Sequence, residues 1–161
     1  MTLPTSTKVG GRSIDESIVQ WLQGLADWTH AVTLTLNPLR SVAEMNPIEI
    51  AKRCRLFLSR LNRRIYGRHG VRRKSFRVAS AAVYGCGAYG THPHIHLILQ
   101  KPPKCTHEEF AQSIHSIAST TKGLAQQHVV KRYFSSGWIN YMVEHGFEGW
   151  IESATYTAKC P

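Results

Sequence analysis

The sequence predicts an α+β fold, a split β-α-β sandwich with a central antiparallel sheet. Three observations predict it. Short β-branched stretches alternate apolar with polar residues, the segments between them repeat apolar residues at helical spacing, and the two patterns follow one another in the order β-α-β-β-α-β. No internal repeat, low-complexity tract or linker interrupts the series, so residues 14–161 read as one domain large enough for a proper core. Residues 1–13 (MTLPTSTKVGGRS) lack the basic–apolar–small layout of a signal peptide and read as a disordered leader.

Each element has its own signal. Ile14 to Ala26 carries Ile14, Ile18, Leu22 and Leu25 at helical spacing and predicts a short helix. His30 to Leu36 (HAVTLTL) alternates and predicts a strand, closed by Asn37-Pro38. Asn46 is placed to cap the next helix, with Pro47 at its first position and Glu49 completing the box. Ile50, Cys54, Phe57, Leu58, Leu61 and Ile65 form its apolar stripe, and Gly67 and Gly70 are expected to end it. Ser75 to Tyr84 and His92 to Leu99 predict a hairpin turning through Gly85-Cys86-Gly87 and Gly90. Pro102-Pro103 stops the second strand, and Thr106 with Glu109 caps a helix to about Thr121, with Phe110, Ile114 and Ile117 inward. Gln127 to Phe134 reads as the fourth strand, Trp138 to His145 as a short helix, and the segment after Trp150 as an edge strand. This order is that of a ferredoxin-like or RRM-like sandwich, with helices on one face of the sheet and the other face open to hold a site.

Charge narrows the partner. Twenty Lys and Arg against ten Asp and Glu give a net charge of +10, which favours a polyanion. Ten of the basic residues, and no acidic one, lie between Lys52 and Lys74. Solvated helix faces usually mix both signs, so Arg53, Arg60, Arg63, Arg64, Arg72, Arg73 and Lys74 are read as phosphate contacts to a nucleic acid. A basic amphipathic helix also suits a membrane surface, but this stripe sits between strands that need covering, and no apolar run reaches the roughly 18 residues that cross a bilayer. Cys54, Cys86, Cys105 and Cys160 are scattered without a CxxC pair and read as free thiols in a reducing compartment.

The strongest chemical signal is Thr91-His92-Pro93-His94-Ile95-His96-Leu97-Ile98-Leu99-Gln100. On a strand, His94 and His96 project from one face roughly 7 Å apart, while Ile95, Leu97 and Leu99 point to the other. Two imidazoles at that spacing can converge on one cation. Structural zinc is a competitor, although no cysteine lies close enough in sequence to complete a compact four-ligand site.

These residues resemble the HUH endonucleases, which include rolling-circle replication initiators, relaxases and single-tyrosine transposases. The family carries His–hydrophobic–His on a central strand, here His94-Ile95-His96, and the HxHxxxQ form is similar to that of the initiators. Ala31 to Pro38 (AVTLTLNP) resembles their first-strand motif, and Gly137-Trp138-Ile139-Asn140-Tyr141 resembles the start of their tyrosine helix, 45 residues beyond His96. The resemblance covers most of residues 30–150. It implies a divalent metal, Mg²⁺ or Mn²⁺, on His94 and His96, and Tyr141 as a nucleophile that forms a 5′-phosphotyrosine. It also implies a third ligand near Tyr84 to Cys86, yet no Asp or Glu occurs from Val71 to Leu99. His92 has the parity to join the pair, as in three-histidine relaxases; the alternative is a two-histidine site completed by water and phosphate. Tyr156-Thr157-Ala158-Lys159 matches the family's YxxK spacing, whereas Glu144 stands at the lysine position after Tyr141, where His145 is a candidate substitute.

The expectation is a single-domain nickase of single-stranded or hairpin origin DNA serving a plasmid or virus-like element. It would act in the bacterial cytoplasm, or in a host nucleus if the element is eukaryotic. No Walker A loop occurs, so unwinding would fall to a separate helicase. The rival from another class is a non-catalytic single-stranded nucleic-acid-binding module, which would stack bases on sheet aromatics.

Overall fold

The computed structural model describes residues 16–37, 46–86, 93–146 and 149–161. The expected leader 1–13, Ile14, Pro38, the turn residues Gly87 and Gly90, and His92 lie outside the described residues. The elements are α1 (Glu16–Leu25), β1 (His30–Leu36), α2 (Pro47–Lys74), β2 (Ser80–Cys86), β3 (Pro93–Leu99), α3 (His107–Thr120), β4 (Leu124–Arg132) and α4 (Gly137–Gly146). A 3₁₀ turn follows at Glu152–Ala154. The four strands form one sheet in the order β2-β3-β1-β4, every neighbouring pair antiparallel. That is the split β-α-β arrangement the element order predicts.

Strand parity builds two cores. Val32, Leu34, Leu36, Ile95, Leu97 and Leu99 face one way and bury against Ile50, Phe57, Leu58 and Leu61 of α2 and Phe110 and Ile114 of α3. Each fully buried side chain of this size contributes about 1.5–3 kcal/mol. Ala79, Ala81, Val83 and Ile98 face the other way, against Val19 and Leu22 of α1 and Ile139, Met142 and Val143 of α4. The second face is therefore not open throughout, as the sequence suggested. Apolar residues on both faces of β2 and β3 require covers on both sides, and α1 and α4 supply the second.

Local chemistry explains the ends of the elements. Asn46 Oδ1 accepts the Glu49 N–H at 2.9 Å at the start of α2. Thr106 and Glu109 form a reciprocal capping box on α3. Gly67 does not end α2 but interrupts it, at φ 71° and ψ 168°, a conformation essentially reserved for glycine. The chain then resumes its helical path to Lys74. It stops where Ser75 turns left-handed (φ 57°) and the Phe76 N–H reaches the Gly70 carbonyl at 3.0 Å. Ser75–Ala79 are consequently a connector rather than strand, and the buried Asn62 Oδ1 accepts the Val78 N–H at 2.9 Å within it. Strand β4 starts earlier than the alternation suggests, because a register shift between Leu34 and Leu36 lets Leu124 pair with Leu36.

The expected C-terminal edge strand is reduced to three isolated bridges, Val83 with Trp150 and Ser80 with Tyr156 on β2, and Arg77 with Lys159 on the connector before it. The 3₁₀ turn interrupts the pairing, yet the segment still covers an edge that would otherwise expose unpaired backbone. Cys54, Cys105 and Cys160 are free thiols. No described helix is long and apolar enough to cross a membrane.

Candidate active site

The register of the sheet assembles the candidate site. His96 lies opposite Thr33 on β1 and Val83 on β2, and His94 lies opposite Thr35 and Gly85. Both imidazoles project from the face that carries α4, as their parity predicted. Their ring centroids are 4.4 Å apart. Gly85 makes room for His94: a Cβ there would meet His94 Nε2 at 3.2 Å. Thr33 Oγ1 lies 3.1 Å from His96 Nδ1. In the tautomer where Nδ1–H donates to Thr33, the His96 lone pair is on Nε2. His96 is buried and His94 half-buried.

Helix α4 brings Tyr141 to this pair. Ile139, Met142 and Val143 anchor the helix in the second core, and the Trp138 indole N–H donates to the Leu97 carbonyl at 3.2 Å. One turn apart, Trp138 and Tyr141 stack at 5.5 Å and 22°. Both rings meet His96 edge-on at 5.1 Å. Tyr141 remains 39% exposed, so a ligand can reach it from solvent. The sequence singled out His94, His96 and Tyr141 but missed the contributions of Thr33, Gly85 and Trp138. Their signal is cross-strand register and helix docking, which no local motif carries.

The rival tyrosine is placed differently. Tyr156 packs against the α2–α3 core, on the opposite side of the sheet from the histidine pair. Burial raises its phenol above the ordinary value, with weaker opposing help from hydrogen bonds to Ser80 and Asn62. Such a phenol is harder to ionise, the reverse of what a nucleophile requires. The His145 side chain and His92 lie outside the described residues.

The basic helix is also behind the sheet, since α2 covers the face opposite the histidines. Arg53 donates to the Gly123 carbonyl at 3.0 Å. Arg60 donates to the Thr120 carbonyl and, at 3.0 Å, to Thr120 Oγ1. These two guanidiniums thus tie α2 to the C-terminal end of α3 and its following turn. Arg63, Arg64, Arg72, Arg73 and Lys74 are exposed along α2.

Two imidazoles on one strand face, with space cleared over Gly85, are compatible with a cation whose shell is completed by water and phosphate oxygens. Among the described residues no third His, Cys, Asp or Glu joins them in a metal-binding group. Searches against models of known protein families, curated proteins and solved structures find no match.

Proposed function

We propose that this chain is a metal-dependent endonuclease of the HUH type. It nicks and rejoins single-stranded or hairpin DNA through a 5′-phosphotyrosine on Tyr141, in the manner of a rolling-circle replication initiator. The observation that carries this reading is the packing of an accessible tyrosine ring against one member of a strand-borne histidine pair. His94 and His96 would hold Mg²⁺ or Mn²⁺, which when bound polarises a non-bridging phosphate oxygen and orients the backbone. Thr33 fixes the His96 ring, and Trp138 fixes the tyrosine ring by stacking. The Tyr141 oxygen forms the new bond to phosphorus, the P–O3′ bond breaks, and the released strand ends in a 3′-hydroxyl. The ester keeps the bond energy, so a later 3′-hydroxyl can reverse the step without ATP. Origin DNA of a plasmid or virus-like element, a separate helicase and a cytoplasmic or host-nuclear setting belong to the same proposal. Relaxase or transposase activity would use the same chemistry on other DNA.

A second reading, a non-catalytic module for single-stranded nucleic acid, is favoured by the exposed aromatic surface of Tyr141, Phe134 (81% exposed) and Trp21 (52%). Labelled single-stranded DNA incubated with Mn²⁺ and run on a denaturing gel separates the two readings. An adduct that survives denaturation, is lost in EDTA, in His94→Ala, in His96→Ala and in Tyr141→Phe, and persists in Tyr156→Phe is expected. Binding without any adduct would leave the module. An adduct mapped to Tyr156 would overturn the assignment of the nucleophile.

A further inference from the structure

Behind the sheet, α2, the 75–78 connector and the C-terminal segment border a solvent-open cavity of about 250 Å³, well above the roughly 30 Å³ that one water occupies. Arg55, Ser59, Asn62, Ser75, Arg77 and Tyr156 line it, and no described carboxylate does. Leu58 and Val71 help make its wall mainly apolar, and the exposed Arg55 and Arg77 bring positive charge to it. The Arg77 guanidinium lies 4.7 Å from the centre of the Tyr156 ring, which fixes its plane. Its Nε donates to the Thr157 carbonyl at 3.3 Å, taking one of five N–H donors. Asn62 Nδ2 donates to the Tyr156 hydroxyl at 3.4 Å, so the phenol's own proton is directed elsewhere. Asn62 is itself held by Val78. Ser75 keeps a left-handed backbone at the rim, a conformation that costs a non-glycine residue on the order of 1 kcal/mol. Phe76 adds an aromatic wall.

We propose that this cavity is a phosphate-binding pocket that takes the phosphate of a nucleotide unit, on the side of the sheet away from the histidine pair. Planar guanidinium forks with hydroxyl donors and no competing carboxylate match a phosphate's oxygens. Arg55 reaches the pocket from α2 and Arg77 from the connector that follows it. The proposal does not rest on the nicking reading, since it uses none of that site's residues. A free mononucleotide and one unit of a strand carry the same phosphate chemistry, and the two sources are separable by experiment.

The test is a two-dimensional NMR titration of the full ¹⁵N-labelled chain with inorganic phosphate, thymidine 5′-monophosphate and an oligothymidylate, at constant ionic strength. Saturable shifts are expected at the amides of Ser75, Phe76 and Arg77 and at Arg77 Nε–H, with Thr33 and His96 unmoved by phosphate and by the mononucleotide. Losing one charge-assisted donor set costs about tenfold in affinity, so Arg55→Gln and, separately, Arg77→Gln should each weaken binding by about that factor. His94→Ala should not. Tighter binding of the oligonucleotide than of the mononucleotide assigns the pocket to a strand; the reverse order assigns it to a free nucleotide. No saturable shift with any probe, or an affinity unchanged in both arginine variants, overturns the proposal.

Discussion

Replacing Gly85 with alanine isolates the geometry of the histidine pair from its chemistry. The added Cβ would stand 3.2 Å from His94 Nε2 and 3.8 Å from Cδ2, so the ring must move by a few tenths of an ångström. Stability should barely register this. Alanine in a strand interior gains about 0.5–1 kcal/mol over glycine, which offsets the low end of the roughly 1–3 kcal/mol of overpacking because the half-buried ring can yield. Chemistry is less tolerant. A misplacement of 1 Å costs about a hundredfold, so a few tenths of an ångström should slow single-turnover nicking roughly three- to tenfold. The assay is the cleavage rate of a labelled oligonucleotide, read beside the thermal midpoint of the same protein. A wild-type rate at an unchanged midpoint would refute the argument that space over Gly85 sets the position of His94. A rate that falls only in step with unfolding would refute it equally.

Other outcomes follow from the contacts described above. Thr33→Val removes the hydroxyl at His96 Nδ1 and should reduce activity about 10- to 100-fold, as loss of an outer-shell partner does at metal sites; an unchanged rate would show that packing alone orients the ring. Arg63→Gln and Arg64→Gln should each lower the log–log salt slope of single-strand binding by about 0.7 at constant thermal midpoint. Arg60→Gln should instead destabilise the fold by about 1 kcal/mol, since the end of α3 loses its donor; urea unfolding measures the difference. His30 is held down to about 4 from 6.5, first by burial and then by the charge of His107. Its neutral form is favoured on folding, so its contribution is full above about pH 6.5 and is lost as pH falls toward 4, on the order of 3 kcal/mol in all. His30→Phe should flatten that acid limb of the stability curve, and an unaltered limb would assign it to other groups.

Much of the architecture was legible because it is written in local pattern. The alternation of HAVTLTL marks β1 to the residue, Asn46-Pro47 starts α2, and Thr106 with Glu109 starts α3. Boundaries failed where a tertiary contact overrides the pattern. Gly67 reads locally as a stop, but the helical path resumes beyond it. Ser75–Ala79 read as strand, but Asn62 and Gly70 bind their backbone instead.

The sequence by itself determined that His94 and His96 share a strand face, because side-chain direction on a strand has period two. It determined equally that the charge of α2 lies along one helix. Only the tertiary structure decided which parts meet. The antiparallel register sets Thr33 beside His96 and Gly85 beside His94, and the docking of α4 through Ile139, Met142 and Val143 brings Tyr141 to the pair while Tyr156 is held behind the sheet. The arginines of α2, adjacent in sequence to the strands of the site, lie on the other face because α2's apolar stripe must bury there. Periodicity is a property of neighbours along the chain, whereas these juxtapositions depend on packing between segments tens of residues apart, where the burial of each apolar face selects its partner.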